Sequence, residues 1–444
     1  MSAAGLVEPT PPATRTVRFG RLALLLAAGA AVQLLIATQT GHESDLIQFQ
    51  RWAYDLAHKD PWNVLQGPEF NIDHLPGFLL FLWAVGEGYE WLTFTQSEYL
   101  YILKMPAVVA NIVGGALLYF LLHGRRESVR LGATALYLFL PTALMIGPLW
   151  GQTDAVGATF LLLTIFLFDR DRPIWAAIAF TCGFFFKAQI AAALPVFVFW
   201  GLRNYPREVW WKCAVGGAAV AIALTLIFFP TNPWEIFNHI RKGTEVFDFN
   251  ASFTFNFWGM FGWFRSDSMT YMGVEWRTWG ILMVLLANGL ILFSIRRATD
   301  TAALALAVSL AMLALYVLLT RVHERYMFAA FLPLLAACFL TNSRLLWGLF
   351  VGLSVLHFFS LYRSFFHSFF NPGEPAILYE DWIIRSIDWS PDWWKRPGSL
   401  VAVTASACTV VFFLIMLAYS VVRNDALPFL SRDPNPPDDA APAS

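Results

Sequence analysis

The 444-residue chain is 57% hydrophobic, 16% aromatic and only 14% charged, whereas a soluble chain averages about 25% charged residues. Its 41 Phe and 19 Trp are more apolar bulk than one soluble core could bury, and a formal net charge of −1 points to neither nucleic acid nor an acidic partner. A soluble enzyme, a disulfide-rich secreted domain and a disordered chain are excluded, and lipid is the implied solvent.

A spanning helix needs about 20 mostly apolar residues. Such runs fall at 19–38, 100–122, 130–149, 154–168, 173–187, 188–202, 210–230, 277–295, 301–320, 326–341, 344–362 and 398–422. They predict an all-α integral membrane protein with about twelve transmembrane helices, several of them short. A further stretch, 76–93, opens with Pro76-Gly77 and is interrupted by Gly86, Glu87, Gly88 and Glu90. Orientation follows from Lys and Arg in short connections. Arg15, Arg18 and Arg21 precede the first span, and Arg125, Arg126, Arg130, Arg170, Arg172, Arg203, Arg207, Lys212, Arg296, Arg297, Arg344 and Arg423 follow at junctions. Every cluster falls on the inside if 76–93 lies at the outer interface instead of spanning. Both termini are then cytoplasmic, and the outer loops are about 39–99, 231–276 and 363–397. A cleaved signal peptide is the alternative for 15–38, but the remaining spans need this one to set their orientation. Residues 1–14 and 423–444 are rich in Pro, Ala and Asp and predict disorder. No internal repeat is evident, so 15–422 reads as one membrane domain.

Cys182, Cys213, Cys338 and Cys408 all fall in apolar runs and form no CxxC pair, so they read as small buried hydrophobes. A charge at membrane depth costs about 2.5–3.5 kcal/mol even on lenient scales, which makes the remaining ionisable residues functional candidates. Five groups collect on the predicted outer face. Glu43-Ser44-Asp45 opens an amphipathic helix over 44–59, in which Leu46, Phe49, Trp52, Ala53 and Leu56 recur every three or four residues. Ser44 fits the N-cap, which puts Asp45 in the first turn, as plain capping or as a catalytic carboxylate. Asp73 and His74 precede Leu75-Pro76-Gly77, where Pro76 suits a first helical position and Asp73 could be a solvated turn residue. Trp150-Gly151-Gln152-Thr153-Asp154 makes a tight outer turn with Thr153 placed to cap the next helix. Lys187 and Gln189 interrupt apolar sequence, and Lys187 either snorkels to the headgroups or meets an anion held within the protein. Arg321-Val322-His323-Glu324-Arg325-Tyr326 is the densest ionisable run; as a helix it puts Arg321 and Arg325 on one face. Two guanidiniums and an imidazole together suit a phosphate. The aromatic loop Asn250–Phe264 suits sugar stacking or an interfacial belt, and Asn250-Ala251-Ser252 is a glycosylation sequon.

At these residues the sequence resembles the GT-C superfamily of lipid-phosphate-sugar-dependent glycosyltransferases, and most resembles bacterial relatives of the GPI-anchor second mannosyltransferase. The matching pieces are Asp45…Phe49…Trp52, Asp73-His74-Leu75-Pro76-Gly77, Trp150-Gly151-Gln152-Thr153-Asp154, Lys187-Ala188-Gln189 and His323-Glu324-Arg325-Tyr326. They keep the family's order across most of the chain. One departure is that relatives typically read Asp-Tyr-Pro-Pro-Gly where this chain reads Asp73-His74-Leu75-Pro76-Gly77.

The resemblance implies a multi-span fold with interfacial helices in its first outer loop. It implies transfer of mannose or another hexose from a polyprenyl-phosphate donor to a glycolipid or glycan acceptor, at the outer face of the cell membrane, with inversion. Asp45 maps onto the catalytic base, and Lys187, Arg325 and His323 onto donor-phosphate binding, to which the charge run itself adds Arg321 as a candidate. Glu43, Asp73, His74, Gln152, Asp154, Gln189, Glu324 and Tyr326 map onto donor or acceptor binding. The first loop has no DxD, so no cofactor is required by the sequence, although a divalent metal stays open. The rival from another class is a multi-span transporter or flippase, whose charges would sit near the midplane of two related halves. A non-enzymatic assembly subunit would leave the ionisable residues without a task.

Overall fold

The computed structural model describes residues 13–59, 61–66, 72–366 and 397–426. The predicted disordered ends and the predicted outer loop 363–397 therefore lie largely outside the described residues. In chain order the helices are α1 (Ala13–Ala37), α2 (Glu43–His58), α3 (Pro61–Gln66), α4 (Pro76–Leu92), α5 (Gln96–Leu103), α6 (Met105–Leu121), α7 (Glu127–Leu138), α8 (Pro141–Leu144) and α9 (Asp154–Asp169). There follow α10 (Pro173–Phe186), α11 (Leu194–Asn204), α12 (Arg207–Phe228), α13 (Glu235–Glu245), α14 (Trp276–Ser294), α15 (Thr301–Leu318), α16 (Phe331–Thr341), α17 (Arg344–Phe366) and α18 (Pro397–Arg423). The described residues also include four two-residue strands: β1 (Ala251–Ser252), β2 (Thr270–Tyr271), β3 (Val274–Glu275) and β4 (Val322–His323).

Eight described helical segments are long and apolar enough to cross a membrane, or nine if the pair Glu127–Leu138 and Pro141–Trp150, bent by 45°, counts as one span. The bend has two local causes. Pro141 opens α8, and Met145–Trp150 continues as a π-helix with Pro148 inside it. The other three apolar runs of the sequence form α9, α10 and α11, of 16, 14 and 11 residues. Their shortness was legible in the runs themselves; only α11 starts later than its run, after the 3-10 turn Ala188–Ala193.

The chain divides into two compact units, one comprising the residues up to Ala188 with Gly216–Gly243, the other Gln189–Val215 with the residues from Thr244 onward. In the first unit, α2 buries Leu46, Phe49, Trp52, Ala53 and Leu56, the stripe predicted from its periodicity. This stripe packs against Phe78, Leu79, Leu82 and Val85 of α4 in one apolar core. Close approach depends on Gly86, where a Cβ would run into the Ala53 carbonyl, while one at Gly88 would meet only Phe94 at 3.8 Å. Gly86→Ala should therefore destabilise the protein by about 1–3 kcal/mol through overpacking. Gly88→Ala should be neutral or stabilising by about 0.5–1 kcal/mol, because alanine is the better helix former. Melting temperatures of the two variants in detergent separate the cases, and equal shifts would count against this packing.

In the second unit, α15 is apolar all round and buried along nearly its whole length, as befits a helix enclosed by others. β1 and β4 pair in parallel, with Ala251 opposite Val322 and Ser252 opposite His323. This pairing joins the aromatic loop to the ionisable run. Within the loop, Phe253, Phe255 and Trp258 are buried, whereas Phe261 and Phe264 are exposed. The Asn250 side chain is also buried, donating from Nδ2 to the carbonyls of Trp258 (3.1 Å) and Gly262 (2.6 Å).

Candidate active site

In the first unit, Asp45 lies in the first turn of α2, as its sequence position predicted. The cap lies two residues earlier than expected, at His42 and without a side-chain cap bond, so Ser44 is not the N-cap. Its hydroxyl lies 3.1 Å from His42 Nδ1 instead. Asp45 Oδ2 accepts from Trp150 Nε1 at 2.7 Å and from Gln152 Nε2 at 2.6 Å, and His42 Nδ1 is 3.5 Å away. The His42 ring stacks on Trp150 with centroids 4.7 Å apart, and its backbone N–H donates to the Trp150 carbonyl at 3.2 Å. Both side-chain donors lack an acceptor atom on the bonded nitrogen, so they suit an ionised carboxylate. Between them, Gly151 takes φ +97°, a conformation open to glycine, and a Cβ there would strike Leu46.

The same turn carries Asp154 at the start of α9, and Lys187 follows the last residue of α10. These helices pack together and bring Lys187 Nζ to 3.2 Å from Asp154 Oδ2, with both side chains buried. Lys187 thus ends in an ion pair and does not snorkel. Thr153 holds the cap position of α9 but makes no side-chain cap bond, contrary to expectation. Gln152 and Thr153 are buried with it.

Asp73 and His74 lie beside the same core. His74 Nδ1 donates to Asp73 Oδ1 at 2.8 Å, and the imidazole packs among Phe49, Trp52 and Phe78. The His74 carbonyl accepts from His239 Nε2 of α13 at 2.8 Å. Burial lowers the pKa of His239 below its ordinary value, against the opposing pull of that carbonyl and of Asp73. A depressed histidine favours the neutral folded form, so stability is full above pH 6.5, the ordinary histidine value, and is lost as pH falls towards the folded pKa. Melting temperatures measured from pH 7.5 down to 5 should therefore fall more steeply for the wild type than for His239→Gln; parallel profiles would remove His239 as the cause.

The second unit holds Gln189 and the ionisable run. The predicted helical face does not form. Arg321 has φ +61°, its N–H donates to the Phe249 carbonyl, β4 follows, and a 3-10 turn starts at Glu324. Arg321 is therefore not on a face with Arg325. Its guanidinium binds Asp267 through Nε (2.7 Å) and Nη2 (3.2 Å), and the Thr244 carbonyl through Nη1 (2.6 Å). The Asp267 bond raises the Arg321 pKa further. His323 packs against Phe247, Phe249 and Tyr326. Arg325 Nη1 is 3.4 Å from Glu324 Oε1, and its guanidinium lies over the Tyr326 ring at 5.8 Å. Gln189 Oε1 is buried without a hydrogen-bond partner. Among the described residues, no group of three or more His, Cys, Asp or Glu is placed to hold a metal ion.

Glu43, Asp45, Asp73, His74, Gln152, Asp154 and Lys187 thus belong to the first unit, and the turn at 150–154 ties Asp45 and Lys187 together. Gln189, Arg321, His323, Glu324, Arg325 and Tyr326 belong to the second. His42, His239 and Asp267 were not foreseen, since each becomes notable only through a partner distant in sequence. No family model matches the sequence, and neither does any curated protein. The structure is similar to the crystal structure of ArnT from Cupriavidus metallidurans in the apo state, with a TM-score of 0.51 and 15% identity over 90% of this chain and 77% of that one. The chain is an all-α integral membrane protein with a GT-C fold.

Proposed function

We propose, with the GT-C fold as premise, that this protein is a membrane glycosyltransferase moving a sugar from a polyprenyl-phosphate donor to a hydroxyl of a glycolipid or glycan acceptor. The observation that carries this most directly is the Asp45 carboxylate, fixed by the Trp150 and Gln152 N–H groups at the start of α2. A carboxylate so oriented suits a general base. The acceptor oxygen attacks the anomeric carbon as its proton passes to Asp45, and the carbon–oxygen bond to phosphate breaks with the electron pair leaving on polyprenyl phosphate. Direct displacement inverts the anomeric centre and needs no enzyme nucleophile. Charge grows on the departing phosphate, and cationic donors lower the barrier.

The motif resemblance assigns donor-phosphate binding to Lys187, in the first unit, and to Arg325 and His323, in the second. Arg321 is held by Asp267 and serves the scaffold. Lys187, tied to Asp154, supports the turn that carries Gln152 and supplies a compensated positive charge. The transferred sugar is mannose or another hexose, a choice resting on the family resemblance of the motifs. The basic clusters support cytoplasmic termini and an external site in the cell membrane. Purified protein given polyprenyl-phosphate hexoses and a glycolipid acceptor should release polyprenyl phosphate and yield glycosylated acceptor. Movement of the donor across vesicles without bond cleavage would instead identify a flippase.

A further inference from the structure

Lys104 stands at the junction of α5 and α6, inside a candidate span, and its side chain is fully buried. Nζ donates to the carbonyls of Ala37 (3.1 Å) and Gln39 (2.5 Å), at and just beyond the end of α1. A helix C-terminus leaves carbonyls without internal partners and carries partial negative charge, which a buried ammonium satisfies on both counts. The lysine stem also passes two glycines of positive φ, Gly41 (+84°) and Gly151 (+97°). A Cβ on either would press on both Leu46 and Lys104. Gly41 immediately precedes His42, and Gly151 lies between Trp150 and Gln152. Thus one side chain fastens the chain end leading to Asp45 and packs beneath the turn supplying its hydrogen-bond donors.

We infer that Lys104 is a positioning residue that sets the distance between Asp45 and the Trp150–Gln152 turn. This rests on Asp45 acting as the base. No substrate contact is assigned to Lys104; its effect passes through the clamp. Misplacement by about 1 Å costs as much as 100-fold in rate, so Lys104→Met should lower kcat by about 10- to 100-fold with donor KM little changed.

The test combines kinetics with amide hydrogen exchange on the full-length protein in detergent. Lys104→Met, Gln152→Ala and the double variant are compared. If Lys104 acts through the clamp, the double variant loses no more than the worse single variant, and exchange rises in segments 38–46 and 150–153 but not in α15. Multiplying losses, a change confined to KM, or unchanged exchange in those segments would each overturn the inference. Should the methionine variant fail to fold, Lys104→Gln, which keeps an N–H donor without the charge, carries the same comparison. A wild type that transfers no sugar would defeat the proposed function, while the exchange measurement would still decide whether Lys104 fastens these segments.

Discussion

Asp45→Asn is expected to abolish transfer from polyprenyl-phosphate sugars, with a fall on the order of 100- to 10,000-fold for loss of a general base. Expression and melting temperature should stay near those of the wild type. The asparagine side chain has nearly the same shape, and its carbonyl oxygen still accepts from Trp150 Nε1 or Gln152 Nε2, the two donors now on Asp45. What it lacks is the capacity to take a proton from the acceptor hydroxyl. Gln152→Ala, which removes one donor and keeps the base, should lose far less. The measurement is single-turnover transfer at matched folded fraction. Retained turnover by the asparagine variant would take Asp45 out of the chemistry.

Lys187→Met is expected to have the largest effect on stability. Asp154 and Lys187 are both buried, 3% and 5% exposed, and 3.2 Å apart. Removing one member of such a pair leaves a buried charge uncompensated and costs about 3–5 kcal/mol. Asp154→Asn should do similar harm from the other side. Combining the two substitutions replaces the pair by neutral groups and should recover much of the loss, so the double-variant cycle in detergent should be strongly non-additive. Additive losses would mean that the two side chains do not share one interaction. The folded double variant also tests chemistry: if it keeps wild-type donor dependence, Lys187 makes no essential contact with the donor phosphate.

The way these residues meet explains what the sequence could disclose. The stripe of α2 repeats over a few residues, so its buried face and the first-turn position of Asp45 were readable from local spacing. Local spacing said nothing of Trp150 and Gln152, which reach Asp45 across more than a hundred intervening residues. Arg321 misled because its density of charge resembled one helical face. Its backbone is held in a left-handed conformation beside the Phe249 carbonyl, and its side chain by Asp267, neither of them visible in the run itself. The cost that singled out Lys187 applied equally to Lys104, a lysine amid apolar sequence. Its partners are backbone carbonyls, however, and carbonyls leave no mark in the residue types. Hydropathy located the membrane segments and the shortness of α9 and α10, but not that the run 188–202 opens with a 3-10 turn before α11.

The π-helical stretch Met145–Trp150 has a consequence for how such a centre could arise or be lost. A widened turn amounts to one extra residue in an otherwise ordinary helix, and each residue rotates everything beyond it by about 100°. Excising that residue would return the segment to regular winding with the flanking side chains still on their present faces, whereas excising one from the regular helix beside it would swing the indole that now grips Asp45 off towards another side. The grip is thus a matter of reading register as much as of residue identity, so a small indel could silence the centre while every side chain in it survived.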